Sequence, residues 1–330
     1  MKPDMRVQLC GVELVNPVIA ASGTFGYGVE FEDIVSFPRI GGLVTKGISR
    51  DPMPGNPAPR LIETAAGMVN AIGLQNIGVE KFLSDKLPLL RRYPTCAVIV
   101  NVFGYRIDDY LAVVERLNQA EGIAAYELNA SCPNTREGGI VFGSDTAMLF
   151  DLVSRAKSHS TRPLIVKLSP NVTSIAAMAR AAQQAGADAL SLVNTFLAMS
   201  IDVETRRPRL ANVTGGLSGP AIKPLAVRLV WEAAQAVRIP IIGLGGIATP
   251  EDAVEFLLAG ATAVQVGTAS FADPRATERI AAGLEQWCTR HHVSHVASLT
   301  GALETSPPQP TDDAPTEDGP ASAEPSAPTP

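Results

Sequence analysis

Short unbroken apolar runs alternate along most of the chain with longer stretches in which apolar positions recur every three or four residues. The runs at 18–22, 42–46, 97–102, 125–129, 164–168, 189–194, 240–243 and 263–267 are read as strands. Continuous apolar character, without strict alternation, is the pattern of parallel strands covered on both faces. Between and after them, 79–92, 107–119, 145–159, 175–185, 221–236, 250–259 and 274–290 carry the helical period. Eight strands followed by helices in regular succession predict an α/β fold closed into a (β/α)8 TIM barrel. An open doubly wound sheet is the competing arrangement, but its dinucleotide fingerprint needs a glycine loop after the first strand. Here that strand runs into Ala21-Ser22-Gly23-Thr24, and the late Gly243-Leu244-Gly245-Gly246 lacks an acidic ribose partner at the expected offset.

In such a barrel the C-terminal strand ends form one rim, where the chemistry collects. The predicted rim carries Ser22, Lys46 with Gly47, Asn101, Asn129, Lys167, Asn194 with Thr195, Gly245 with Gly246, and Gly267 with Thr268. Polar side chains gather at the first six ends and bare glycines at the last two. Loops after the last two strands are where these barrels bind phosphate through backbone N–H groups, so a phosphorylated cofactor or substrate is expected. Lys46 and Lys167 need anionic partners in the mouth. The amides of Asn70, Asn101, Asn129 and Asn194 each offer a donor and an acceptor, suiting a pyrimidine or a flavin ring. Cys132, in Asn129-Ala130-Ser131-Cys132-Pro133-Asn134, sits just past a strand end, where neighbours can tune a thiol for proton transfer.

Composition narrows the possibilities further. A chain of 330 residues, 46% of them hydrophobic, can bury a sizeable core. It has no apolar stretch of the roughly 20 residues that span a bilayer and no apolar signal segment at its start, so a cytoplasmic location is expected. Cys10, Cys96, Cys132 and Cys288 are scattered without a C-x-x-C pair, which fits reduced thiols and excludes a self-contained four-cysteine cluster. His291, His292 and His295 are read as a cationic last helix turn rather than a metal site, and Trp231 and Trp287 as packing against the barrel. The formal net charge of -6 is unevenly placed: Glu304, Asp312, Asp313, Glu317, Asp318 and Glu324 supply all of it, without a basic residue after Glu304. This divides the chain into a near-neutral barrel, 1–303, and an acidic Pro/Ala/Ser/Thr-rich tail, 304–330, whose composition predicts disorder. A near-neutral barrel argues against nucleic acid as a partner.

Three motifs add a resemblance. Cys132 within its Asn129-to-Asn134 segment, Val69-Asn70-Ala71-Ile72-Gly73-Leu74-Gln75-Asn76, and Gly215-Gly216-Leu217-Ser218-Gly219-Pro220-Ala221-Ile222-Lys223-Pro224 resemble the class 1 dihydroorotate dehydrogenases, in the right order from about Val7 to about Gly301. Thr45-Lys46-Gly47 and Gly245-Gly246 agree. The second motif is most similar to the NAD-linked B subtype. Ile77 departs from the pattern, standing where proline is expected.

The resemblance implies oxidation of (S)-dihydroorotate to orotate in de novo pyrimidine synthesis, with one FMN per chain across the barrel mouth. It assigns the FMN phosphate to Gly245, Gly246, Gly267 and Thr268 with Gly219, and the ring and ribityl chain to Ser22, Lys46, Gly47, Asn101, Asn129, Lys167 and Val193. Substrate falls to Lys46, Asn70, Ala71, Ile72, Gly73, Leu74, Asn129, Asn194 and Thr195, and the C5 proton to Cys132 as base. FAD and a 2Fe-2S cluster are expected on a partner subunit that passes electrons to NAD, in a heterotetramer of two catalytic and two electron-transfer subunits. A homodimeric A-type enzyme using fumarate, a flavin-dependent dihydrouridine synthase and a non-enzymatic flavin-binding protein are the alternatives.

Overall fold

Eight parallel strands close into a barrel in the computed structural model, which describes residues 2–130 and 142–305. They are β1 (Val18–Ala20), β2 (Gly42–Val44), β3 (Ala97–Val102), β4 (Ala125–Asn129), β5 (Leu164–Lys167), β6 (Ala189–Leu192), β7 (Ile241–Leu244) and β8 (Ala263–Val266). Each pairs with its neighbours in sequence, and β8 closes on β1 with Val264 opposite Val18 and Val266 opposite Ala20. The expected strands are all present, most ending one or two residues early because the rim residues turn away into loops. Cys132 and the segment from residue 306 onward lie outside the described residues.

The outer helices follow from the 3.6-residue period and from their starts. α1 (Ile107–Asn118), α2 (Thr146–His159), α3 (Ile175–Gln184), α4 (Lys223–Ala236), α5 (Pro250–Leu258) and α6 (Ala276–Arg290) lie along the barrel. Asp145 caps α2 by accepting from the Met148 N–H, and Ser174 caps α3 through Ala177. Thr249 and Asp252 form a capping box on α5, with Pro250 at its first position, where no N–H is missed. Gly243, within β7, has a packing role: a Cβ there would meet Phe256 Cδ1 of α5 at 2.5 Å. The stretch 79–92 is helical but broken into Val79–Lys81, a wider turn over Phe82–Lys86, and Leu87–Leu90.

Two further pieces have weaker sequence signals. A hairpin, Val7–Leu9 with Val12–Leu14, turns through Cys10 and Gly11, both at positive φ. A four-stranded antiparallel sheet orders Phe196–Met199, Thr214–Ser218, Gly67–Asn70 and Leu61–Thr64 from edge to edge. Both segments of this sheet leave the barrel at the rim, after β2 and after β6. Trp287 packs partly buried and stacks on His291 with ring centroids 4.1 Å apart. Trp231 departs from expectation: it lies on the outward side of α4 and is exposed.

Candidate active site

A cavity of ≈ 400 Å³ lies at the C-terminal ends of the barrel strands, between the rim and the antiparallel sheet. Its size is that of a cofactor or substrate pocket. Among the candidate residues, Ser22, Lys46, Gly47, Asn101, Asn129, Lys167, Val193, Asn194, Thr195, Gly219, Gly245, Gly246, Gly267 and Thr268 all line it, as does the segment Asn70, Ala71, Ile72, Gly73 and Leu74. The topology explains the convergence: the rim residues end strands of one barrel, and the 70–74 segment follows a strand of the sheet, where Gly216 is registered opposite Asn70.

The floor is polar and closed. Asn101, Asn129 and Lys167 rise from β3, β4 and β5, all but buried. Beneath them Glu127 is fully buried, taking Asn101 Nδ2 on Oε1 at 2.7 Å, and Ser191 Oγ and Gln265 Nε2 on Oε2 at 2.8 Å each. Lys167 Nζ stands 3.7 Å from Glu127 Oε1. With their amide nitrogens so engaged, Asn101 Oδ1 and Gln265 Oε1 are buried with no hydrogen-bond partner among the described residues. Such unpaired acceptors are costly unless a ligand donates to them. The Tyr110 hydroxyl donates to the Asn129 carbonyl at 2.9 Å and so pins the strand end that leads toward Cys132.

One flank is cationic. Lys46 is half-buried; burial, and next the Arg60 guanidinium, push its ammonium below the ordinary lysine value, with Glu30 opposing. Arg60 lines the same cavity and is braced by donation to Gln75 Oε1 at 2.6 Å and to the Asn56 carbonyl at 3.2 Å. Two cations drawn together in a partly dry pocket favour an anionic ligand.

The opposite flank is a glycine cradle. Gly219, Gly245 and Gly246 have φ of 97°, 127° and 83°. A Cβ on Gly246 would sit 2.8 Å from Lys223 Cβ and 2.9 Å from the Gly219 carbonyl, so the backbone approaches where no side chain fits. Thr268 Oγ1 donates to Ser218 Oγ at 2.8 Å, tying the loop after β8 to the end of the Thr214–Ser218 strand. Backbone turns of this kind, Gly219 just ahead of α4 and Gly245 with Gly246 ahead of α5, suit a phosphate.

Several lining or supporting residues escaped the sequence reading: Glu127, Gln265, Arg60 and Asn171, whose Nδ2 donates to the Thr195 carbonyl at 2.9 Å. For Glu127 and Gln265 a signal existed. Glu127 is two residues from Asn129 and Gln265 two from Gly267, so each shares the inward face of its strand with a recognised rim residue. Arg60 had none, because its loop reaches the cavity only through the antiparallel sheet.

The profile of the family described as dihydroorotate dehydrogenase matches residues 4–287. A Pelobacter propionicus protein named dihydroorotate dehydrogenase B (NAD(+)), catalytic subunit, is 56% identical over 304 residues, covering 92% of this chain and 100% of the relative. One of the same name from Citrifermentans bemidjiense is 55% identical over 303 residues, covering 92% and 99%. A Solibacter usitatus protein provisionally named dihydroorotate dehydrogenase A (fumarate) is 57% identical over 304 residues, again covering 92% and 100%. Among solved structures, a DHODH of Eimeria tenella in complex with ferulenol superimposes with a TM-score of 0.76 at 23% identity, covering 91% of this chain and 88% of that one.

Proposed function

Because the chain belongs to the dihydroorotate dehydrogenase family and so oxidises dihydroorotate in pyrimidine synthesis, we propose a division of labour within its cavity. The observation that carries it is the meeting, in one pocket, of a cationic flank, an amide-rich floor and a glycine cradle. FMN fits these surroundings: its phosphate matches the backbone of Gly219, Gly245, Gly246, Gly267 and Thr268, and a polar ring matches the two unpaired buried acceptors of Asn101 and Gln265. Ser22, Gly47 and Val193 complete the walls. Bound there, FMN supplies the acceptor for the hydride that leaves C6 of the substrate.

The chain's own residues do the rest. Lys46 pairs with the substrate carboxylate, and Asn70 through Leu74, Asn129, Asn194 and Thr195 hold the pyrimidine ring by its alternating N–H and C=O groups. Lys167 places a fixed positive charge under the site, where negative charge builds during the reaction. Cys132 takes the C5 proton. The covering sheet excludes water from that transfer.

Electrons then leave through a partner subunit carrying FAD and a 2Fe-2S cluster, in a two-plus-two heterotetramer with NAD as final acceptor; the B-type names of two relatives above support this reading. The Solibacter relative favours a second reading, in which fumarate is the acceptor. No helix among the described residues is long and apolar enough to cross a membrane, which is compatible with a cytoplasmic site of action. Anaerobic addition of dihydroorotate to the purified flavoprotein, followed at the oxidised-flavin absorbance, tests the first half. Bleaching is expected, and Cys132→Ser slows it about 10²–10⁴-fold near neutral pH while FMN stays bound. A flavin that stays oxidised in the wild type, alone and with its partner, sinks the proposal. Rapid turnover with fumarate by the chain alone would replace the NAD route.

A further inference from the structure

Barrels of this kind normally fill their interior with layers of branched aliphatic side chains. Here one layer holds a carboxylate, Glu127, fully buried on β4 and approached by donors from β3, β5, β6 and β8. A buried charge is costly relative to an apolar layer and is a weak source of stability. Its surroundings assign it another task.

A carboxylate with donors on both oxygens is an acceptor only. Asn101 and Gln265 must therefore turn their NH2 groups toward it, which fixes both carbonyl oxygens on the other side. Both oxygens are buried without a hydrogen-bond partner among the described residues, and both residues line the cavity, whereas Glu127 and Ser191 do not. Glu127 is also the only carboxylate within ion-pair distance of Lys167 among the described residues. We propose that Glu127 is a positioning residue for the cofactor: acting through Asn101, Gln265 and Lys167, it sets the hydrogen-bonding polarity of the floor and tempers the positive charge beneath the flavin. This rests on the reading that FMN occupies the cavity.

Opposite shifts in the flavin midpoint potential test it. Glu127→Gln removes a negative charge below the ring, so reduction becomes easier; the reduced-to-oxidised ratio at fixed potential rises at least tenfold, a shift of about +30 mV for two electrons. Ser191→Ala removes one donor from Glu127 Oε2 without touching the cavity. The carboxylate's charge is then less neutralised, and the ratio falls roughly threefold. Both are measured on FMN-loaded protein, with circular dichroism as the check on folding. A carboxylate that only holds the barrel together changes melting temperature and leaves both potentials where they were, and that result overturns the proposal, as does a shift of the wrong sign in either variant. Should Glu127→Gln fail to fold or to retain FMN, Ser191→Ala decides alone. Failure of the wild type to bind FMN would instead remove the cofactor reading on which the inference stands.

Discussion

Gly246 shows how much one residue without a side chain determines. At φ 83°, with Lys223 Cβ and the Gly219 carbonyl inside 3 Å of any added Cβ, Gly246→Ala combines an unfavourable backbone with a clash. The expected result is a loss of about 1–3 kcal/mol in thermal or denaturant unfolding and a chain purified with little flavin. Lys46 gives a second prediction. Burial and Arg60 lower its proton affinity, so its positive charge disappears at a lower pH than that of a free lysine as alkalinity rises. A substrate carboxylate loses its partner in that range: kcat/KM for dihydroorotate should fall on the alkaline side below the ordinary value of 10.5, and Lys46→Ala should abolish that limb. The rim glycines, amides and lysines were legible because strand ends in a barrel converge whatever loops follow. Glu127 was not, since a lone acid inside Ala-Tyr-Glu-Leu-Asn reads as an interruption until the inward parity of Asn129 is extended back to it.

At the scale of elements, α5 illustrates local chemistry supporting the site from behind. Asp252 closes the capping box with Thr249, accepts from the N–H groups of Ala248 and Thr249, and pairs with Lys223 Nζ at 2.7 Å. Burial alone would raise its pKa, but the Lys223 ammonium and those N–H groups outweigh burial and hold it below the ordinary 3.8. A carboxyl depressed on folding stabilises above its unfolded value and ceases to as pH falls through the folded one. Asp252→Asn should therefore lower stability by about 1–2 kcal/mol at pH 7, with the gap to wild type narrowing as pH drops below 3.8 in urea titrations. The same Lys223 abuts Gly246, so the variant should also loosen flavin binding slightly. Helices were readable from their period and barrel strands from their unbroken apolar runs. The antiparallel sheet was not: its strands are four or five residues long, two of them carry glycine, and its central pair meets across more than a hundred residues of chain, as Asn70 does with Gly216. Strands this short, two of them carrying glycine and the central pair meeting across the chain, leave no local period to read.

For the whole molecule, charge and closure separate. Removing 304–330 takes away all six net negative charges and turns a chain of formal charge -6 into a neutral one. Since the closing β8–β1 pair and the Gly301 N–H bond to the Leu257 carbonyl both lie before the cut, flavin content and melting temperature should be unchanged, while the chain elutes earlier from an anion exchanger and becomes less soluble near neutral pH. A fall in melting temperature would instead make the tail part of the fold. The seam between β1 and β8 also has a meaning in time. Val18 waits for Val264, and at about 5–20 residues per second a ribosome needs on the order of ten seconds or more to supply it. Until then Gly267 and Thr268 are missing from the cradle, so coenzyme loading is expected to follow closure of the barrel, and a cell short of riboflavin should accumulate finished but colourless barrels rather than stalled ones.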